Sequence, residues 1–170
     1  NVDQCQNINY PRATEERIHP PIDQAEQVIA HMPHPPVIVH SGVQAWYRVK
    51  TDMVVMPPKG LFNDMGGYYG TLFHELAHST GHPSRLARRN LDDQRGFCSR
   101  PYAYEELVAE MASGFLCNVC GITQTIKNTA AYIGDWLGAL DRDKSLLVNA
   151  AASAQKAADW ILGRNTAHEE

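Results

Sequence analysis

The stretch YYGTLFHELAHSTGH (Tyr68–His82) decides how this chain is read. Within it, His74-Glu75-Leu76-Ala77-His78 has the form HExxH. Residues four apart on an α-helix share a face, so His74 and His78 can aim imidazole nitrogens at one zinc ion. Glu75 then stays off the metal and acts as general base on the bound water. Zinc lowers the pKa of that water to about 7, which makes hydroxide available at neutral pH. In a chain with 8 histidines, chance supplies about 0.02 such motifs, so the match is informative. The bland alternative is a pair of core histidines satisfied by hydrogen bonds.

A catalytic zinc takes three protein ligands and keeps one open position. His82 comes eight residues after His74, not the ten of the extended three-histidine pattern. A helix continuing that far would carry His82 about 12 Å along its axis, at 1.5 Å per residue. Bonds near 2 Å cannot span that distance. His82 is therefore expected on the cleft wall as a possible donor to substrate. The better third ligand lies in YAYEELVAEMASGFLC (102–117), where Glu106 and Glu110 are four apart and share a helical face. Glu106 is the expected ligand. Glu110 is expected to accept the free N–H of a liganding histidine and fix its tautomer. Glu105 is expected to be more exposed, near the helix start, where carboxylates are common. Tyr102, Tyr104 and His82 are the candidate oxyanion donors.

The rest of the 170 residues reads as one domain with an ordinary soluble composition, 44% hydrophobic and 20% charged. A net charge of −4 is too mild to draw nucleic acid by itself. No apolar run approaches a membrane span, and no signal peptide opens the chain, so a cytoplasmic domain without membrane contact is expected. Residues 1–21 read as an extended lead-in. A helix follows at 22–32, then short strands at 37–40, 45–49 and 52–56 as a hairpin or meander. DMVVMPP (52–58) is expected to rim the cleft, because Pro57 and Pro58 suggest an edge. Helices are expected at 68–81, ended by Gly81, then at 102–119, 128–140 and 143–163. The order predicts an α+β domain, a small, mostly antiparallel sheet packed with four to five helices.

Cys5, Cys98, Cys117 and Cys120 are expected as reduced thiols. The CxxC at Cys117–Cys120 closes a helix rather than opening one, so packing is the expected role. Arg85, Arg88, Arg89, Arg95 and Arg100 are expected on a solvated loop paired with Asp92 and Asp93. Without interleaved aromatic residues they make no evident stacking platform for single strands.

FHELAHSTGHPSRLAR (73–88), YAYEELVAEMASGFLC (102–117), AAYIGDWLGAL (130–140), VVMPPKGLFND (54–64) and NVDQCQNI (1–8) together resemble the C-terminal metallopeptidase domain of ArdC-like antirestriction proteins, which occur on conjugative plasmids and in phages. The resemblance implies a zincin-like fold, His74 and His78 as metal ligands, Glu75 as base and an acidic ligand within EELVAE (105–110). It also implies a single-stranded-DNA-binding domain ahead of residue 1, which this chain lacks. The expected activity is zinc-dependent peptide-bond hydrolysis through a metal-bound water, with a protein or peptide as substrate. The competing expectation is a non-catalytic module, stapled by metal, that binds DNA or a restriction-enzyme subunit. Glu75 favours the enzyme, since a structural site has no use for a base beside the metal.

Overall fold

The computed structural model describes residues 19–88, 100–123 and 144–164. Most of the expected lead-in, the 128–140 helix, Cys5, Cys98, Arg89, Arg95, Asp92 and Asp93 lie outside the described residues. The elements are α1 (Asp23–His31), β1 (Val37–His40), β2 (Trp46–Arg48), β3 (Met53–Met56), α2 (Met65–Ser79), α3 (Arg100–Val119) and α4 (Lys144–Ile161). This is an α+β arrangement, as the element order predicted. Among the described residues no helix is long and apolar enough to cross a membrane.

The three strands lie in the order β1-β3-β2. β2 and β3 form the expected hairpin, with Tyr47 opposite Val54. β1 flanks the other side of β3 and runs parallel to it, with Val37 opposite Met53. The sheet is thus mixed, with one parallel and one antiparallel pair. β3 is central, and its Val54, Val55 and Met56 are buried. A strand covered on both faces needs such a continuous apolar run. This corrects the expectation that DMVVMPP forms an edge. Pro57 and Pro58 fall just beyond Met56, where no ladder N–H is required, so they end the strand. The strand beside the cleft is β2.

α2 starts at Met65, three residues before the expected start at Tyr68, because Asp64 caps it. The Gly67 N–H donates to Asp64 Oδ1 at 2.8 Å, satisfying one of the unpaired donors of the first turn. Tyr69, Leu72, Phe73 and Leu76 form one apolar stripe, and all four are buried against the sheet, α1 and the ends of α3 and α4. Each such side chain contributes about 1.5–3 kcal/mol when fully buried. The helix stops at Thr80 rather than Gly81. The Ser79 and Thr80 hydroxyls donate to the carbonyls of Leu76 and Ala77, and the chain then turns through i→i+3 bonds.

α3 crosses α2 closely, and Ser113 Oγ donates to the Gly70 carbonyl at 2.8 Å. It ends as expected just before Gly121, which is left-handed at φ 71. Ile122 N–H returns to Cys117 O and Gly121 N–H to Asn118 O, a Schellman closure. Cys117 and Cys120 are buried within this packing and not joined in a disulfide, and burial pushes the Cys120 thiol up to about 11. α4 presents Ala150, Ala154 and Ala157 to α3, all fully buried.

Arg85 ties these parts together. Its side chain is 1% exposed, and its guanidinium pairs with Asp52 at the β2–β3 turn. It also donates to the carbonyls of Ser79 at 2.7 Å and His34 at 2.9 Å. Burial acts to raise the Asp52 pKa, but Arg85 and the Tyr47 hydroxyl outweigh it and hold the carboxyl below its usual range. Asp52 itself is left-handed at φ 45, which asparagine tolerates. Asp52→Asn should therefore destabilise the fold by about 2–3 kcal/mol near neutral pH. That is low for a broken buried pair because Asp52 keeps some solvent. The folded carboxyl binds its proton less tightly than the unfolded one, so the pair stabilises above the unfolded pKa of about 3.9. That contribution is lost as pH falls through the lower folded value. Urea midpoints of parent and variant should converge in that acid range; a constant gap down to full protonation would contradict the pairing.

Candidate metal centre

His74 and His78 sit on the side of α2 opposite its apolar stripe and face α3. Their Nε2 atoms are 3.0 Å apart. Glu106 reaches across from α3, with one carboxylate oxygen 3.5 Å from His74 Nε2 and the other 3.5 Å from His78 Nε2. One donor atom from each of the three residues falls within 4.8 Å of the others. Two imidazole nitrogens and one carboxylate are a donor set that divalent transition metals accept.

The outer nitrogens of the two rings are held as well. His74 Nδ1 lies 3.3 Å from Glu110 Oε1, and His78 Nδ1 lies 3.4 Å from Glu105 Oε1. A carboxylate there only accepts, so each Nδ1 donates and each Nε2 is directed at the common point. Glu105 is 4% exposed, contrary to the expectation that it is the exposed acid of the three. Arg88 explains why it can be buried as a charge. Its Nε donates to Glu105 Oε2 at 3.0 Å and its Nη2 to Oε1 at 2.6 Å. This also corrects the reading of the arginine cluster. Arg85 and Arg88 turn inward to Asp52 and Glu105 instead of lying on a solvated loop.

The electrostatics follow from burial. Burial works against charge on His74, but Glu106 and Glu110 outweigh it and raise the imidazole to about 10. Glu106 is lowered: burial opposes its charge, while His74, His78 and the Tyr102 hydroxyl favour it. Glu75 is raised, chiefly by burial, with His78 and His74 offsetting part of that cost. It lies beside the histidines, near the backbone of Tyr47 on β2, which favours its charged form. A cleft of about 420 Å³ opens over these groups, walled by Trp46, Tyr47 and Val49 on one side and Tyr102 on the other.

The structure thus gathers His74, Glu75, His78, Glu106, Glu110 and Tyr102. It does not bring His82 to the cleft: the Ser84 N–H donates to His82 Nδ1 at 3.2 Å in the turn after α2. Tyr104 is also elsewhere, with its hydroxyl 2.9 Å from Ser153 Oγ on α4. Sequence reasoning missed Arg88 and the Tyr47 backbone. Neither carries a local spacing signal, because Arg88 meets an acid seventeen residues away and Tyr47 contributes main chain.

An HExxH helix facing a carboxylate-bearing helix, beside a small sheet and under an open cleft, defines a zincin-like fold with a candidate metal site at His74, His78 and Glu106. Comparison with known proteins agrees. A family model described as zincin-like metallopeptidase matches residues 23–153. The chain belongs to this zincin-like metallopeptidase family. It is 40% identical over 154 residues to DNA primase TraC of Escherichia coli, covering 84% of this chain and 14% of that protein. It is 39% identical over 125 residues to the uncharacterized protein y4eC of Sinorhizobium fredii, covering 73% of this chain and 40% of that one. Among solved structures, the Mn(II)-bound antirestriction ArdC protein from the R388 plasmid matches with TM-score 0.65 and 37% identity, over 100% of this chain and 62% of that chain. Its metal-free form matches equally, over 88% and 52%. The chain therefore spans only part of the length of each of these relatives.

A divalent ion needs a free Nε2 lone pair on His74, so binding must displace the proton that Glu106 and Glu110 favour there. The apparent affinity should rise about tenfold per pH unit below about pH 10, with about one proton released per ion. Titrations with Zn(II) at several pH values in weak buffer check this. Affinity independent of pH would contradict the exchange.

Proposed function

We propose that this domain is a zinc-dependent metallopeptidase centre of an antirestriction-type protein, with His74, His78 and Glu106 holding the ion and Glu75 acting as base. One observation carries the reading: two Nε2 atoms and one carboxylate converge beside a buried, unligated glutamate in an open cleft. Among the described residues the donor group has three members, which leaves a tetrahedral ion one position for water. Structural zinc sites usually take four protein ligands, so this count favours catalysis over a stapling role. Two imidazoles with a carboxylate suit zinc. The ArdC relative holds Mn(II).

A bound zinc ion supplies Lewis acidity towards a water and a substrate carbonyl. Glu75 takes a proton from the attacking water and returns it to the departing amine nitrogen. Its raised pKa suits that exchange, because a base nearer neutrality can both accept and release the proton. The Tyr47 main chain lies near the Glu75 carboxylate and favours its charged form. Tyr102, on the opposite wall, is the candidate donor to a developing oxyanion. An extended peptide can lie along the edge strand β2 and pair with it. The substrate class is therefore a protein or peptide chain. Single-stranded DNA enters as a partner only through a further domain of a longer, cytoplasmic protein.

Glu75→Gln should keep about one zinc per chain and lose at least a hundredfold in peptide cleavage, the lower range for removal of a general base. Glu106→Gln should lose the ion itself. Metal analysis with a casein digestion assay reads both. Parent-like cleavage by Glu75→Gln would sink the mechanism.

A further inference from the structure

Among the described residues the two histidines are supported unequally, and the difference lies in Arg88. His74 Nδ1 faces Glu110. His78 Nδ1 faces Glu105, and Glu105 is gripped on both oxygens by Arg88. The same guanidinium donates to Thr80 Oγ1 at 2.6 Å and to the Ala77 carbonyl at 2.8 Å. Four donor contacts thus spread from one planar group to α2 and α3 together. Ala77 and Thr80 flank His78 on its own helix, and Glu105 is its partner on the other.

The chain leading to Arg88 is bent to bring it there. Ala87 is left-handed at φ 49, a conformation that costs an alanine free energy and persists only where its surroundings impose it. On one side Arg85 is anchored in its buried pair with Asp52, and on the other Arg88 is anchored in the site. Leu86 N–H closes the loop onto Thr80 O at 2.8 Å.

We infer that Arg88 is a positioning residue of the metal centre, one that locks Glu105 and, through it, the ring of His78 in the orientation an ion requires. This rests on the metal-binding reading of His74, His78 and Glu106. Simple electrostatics argues the opposite way. A cation near a metal site repels the ion, so removing it should tighten binding. Positioning predicts weaker binding, because losing support behind a liganding histidine typically costs tenfold to a hundredfold in metal affinity. Lysine separates the two effects: it keeps the charge, but its compact ammonium cannot reproduce the planar fork.

The test is competition of the full chain with a chromophoric chelator for Zn(II), for the parent, Arg88→Lys and Arg88→Gln, each checked for folding by circular dichroism. Positioning predicts that both variants bind zinc about tenfold to a hundredfold more weakly per folded molecule. Glutamine binding as tightly as or more tightly than the parent would overturn it, as would a lysine variant of parental affinity. Should the glutamine variant not fold, the lysine variant decides alone by the same criterion. A parent that binds no zinc would refute the metal reading instead, which is a different failure.

Discussion

The constraint on which the structure depends is the balance of charge buried between α2 and α3. Two imidazoles and the carboxylates of Glu75, Glu105, Glu106 and Glu110 are brought together where the helices face each other. Such groups are costly to remove from water unless each finds a partner. Each imidazole nitrogen faces a carboxylate, Glu105 has Arg88, and Glu75 has the Tyr47 main chain. The proton favoured on His74 occupies the place that a divalent ion would fill. Carboxylates on both sides of His74 thus favour positive charge on its ring.

The remaining architecture serves to hold that interface. The aromatic and aliphatic stripe of α2 locks the helix to the sheet, which turns the histidine side outward to α3. Alanines on α4 pack against α3, and the Ser113–Gly70 hydrogen bond ties α3 to α2, from where Glu106 reaches both rings. Arg85 joins the end of α2 to the β2–β3 turn, so the edge strand carrying Tyr47 is held in register with the helix carrying Glu75. Fold and site share residues: the segment after α2 closes the helix and also delivers both inward arginines.

Much of this was legible in the sequence, because local periodicity is strong in α2. The i, i+4 spacing put His74 and His78 on one face, and the same spacing singled out Glu106 and Glu110 on α3. The Gly121 stop was legible for the same reason. What was not legible depended on long-range geometry. Glu105 and Glu106 are neighbours on a helix, and only the rotation of α3 about its axis decides which faces what. Glu105 looked exposed because its partner Arg88 belongs to a polar stretch that resembles a surface loop. The start of α2 was missed because glycines at 66 and 67 read as a break, whereas the Asp64 cap and the tertiary packing override that propensity. Strand order was misjudged because prolines after a strand and prolines at an edge leave the same local mark.

The most direct test of the central claim is the anomalous-scattering map of a crystal of the zinc-loaded chain. A single ion should bond to Nε2 of His74, Nε2 of His78 and the carboxylate of Glu106, with its remaining position open to the cleft. An ion bonded elsewhere, or one closed off by a fourth protein side chain, would contradict the account.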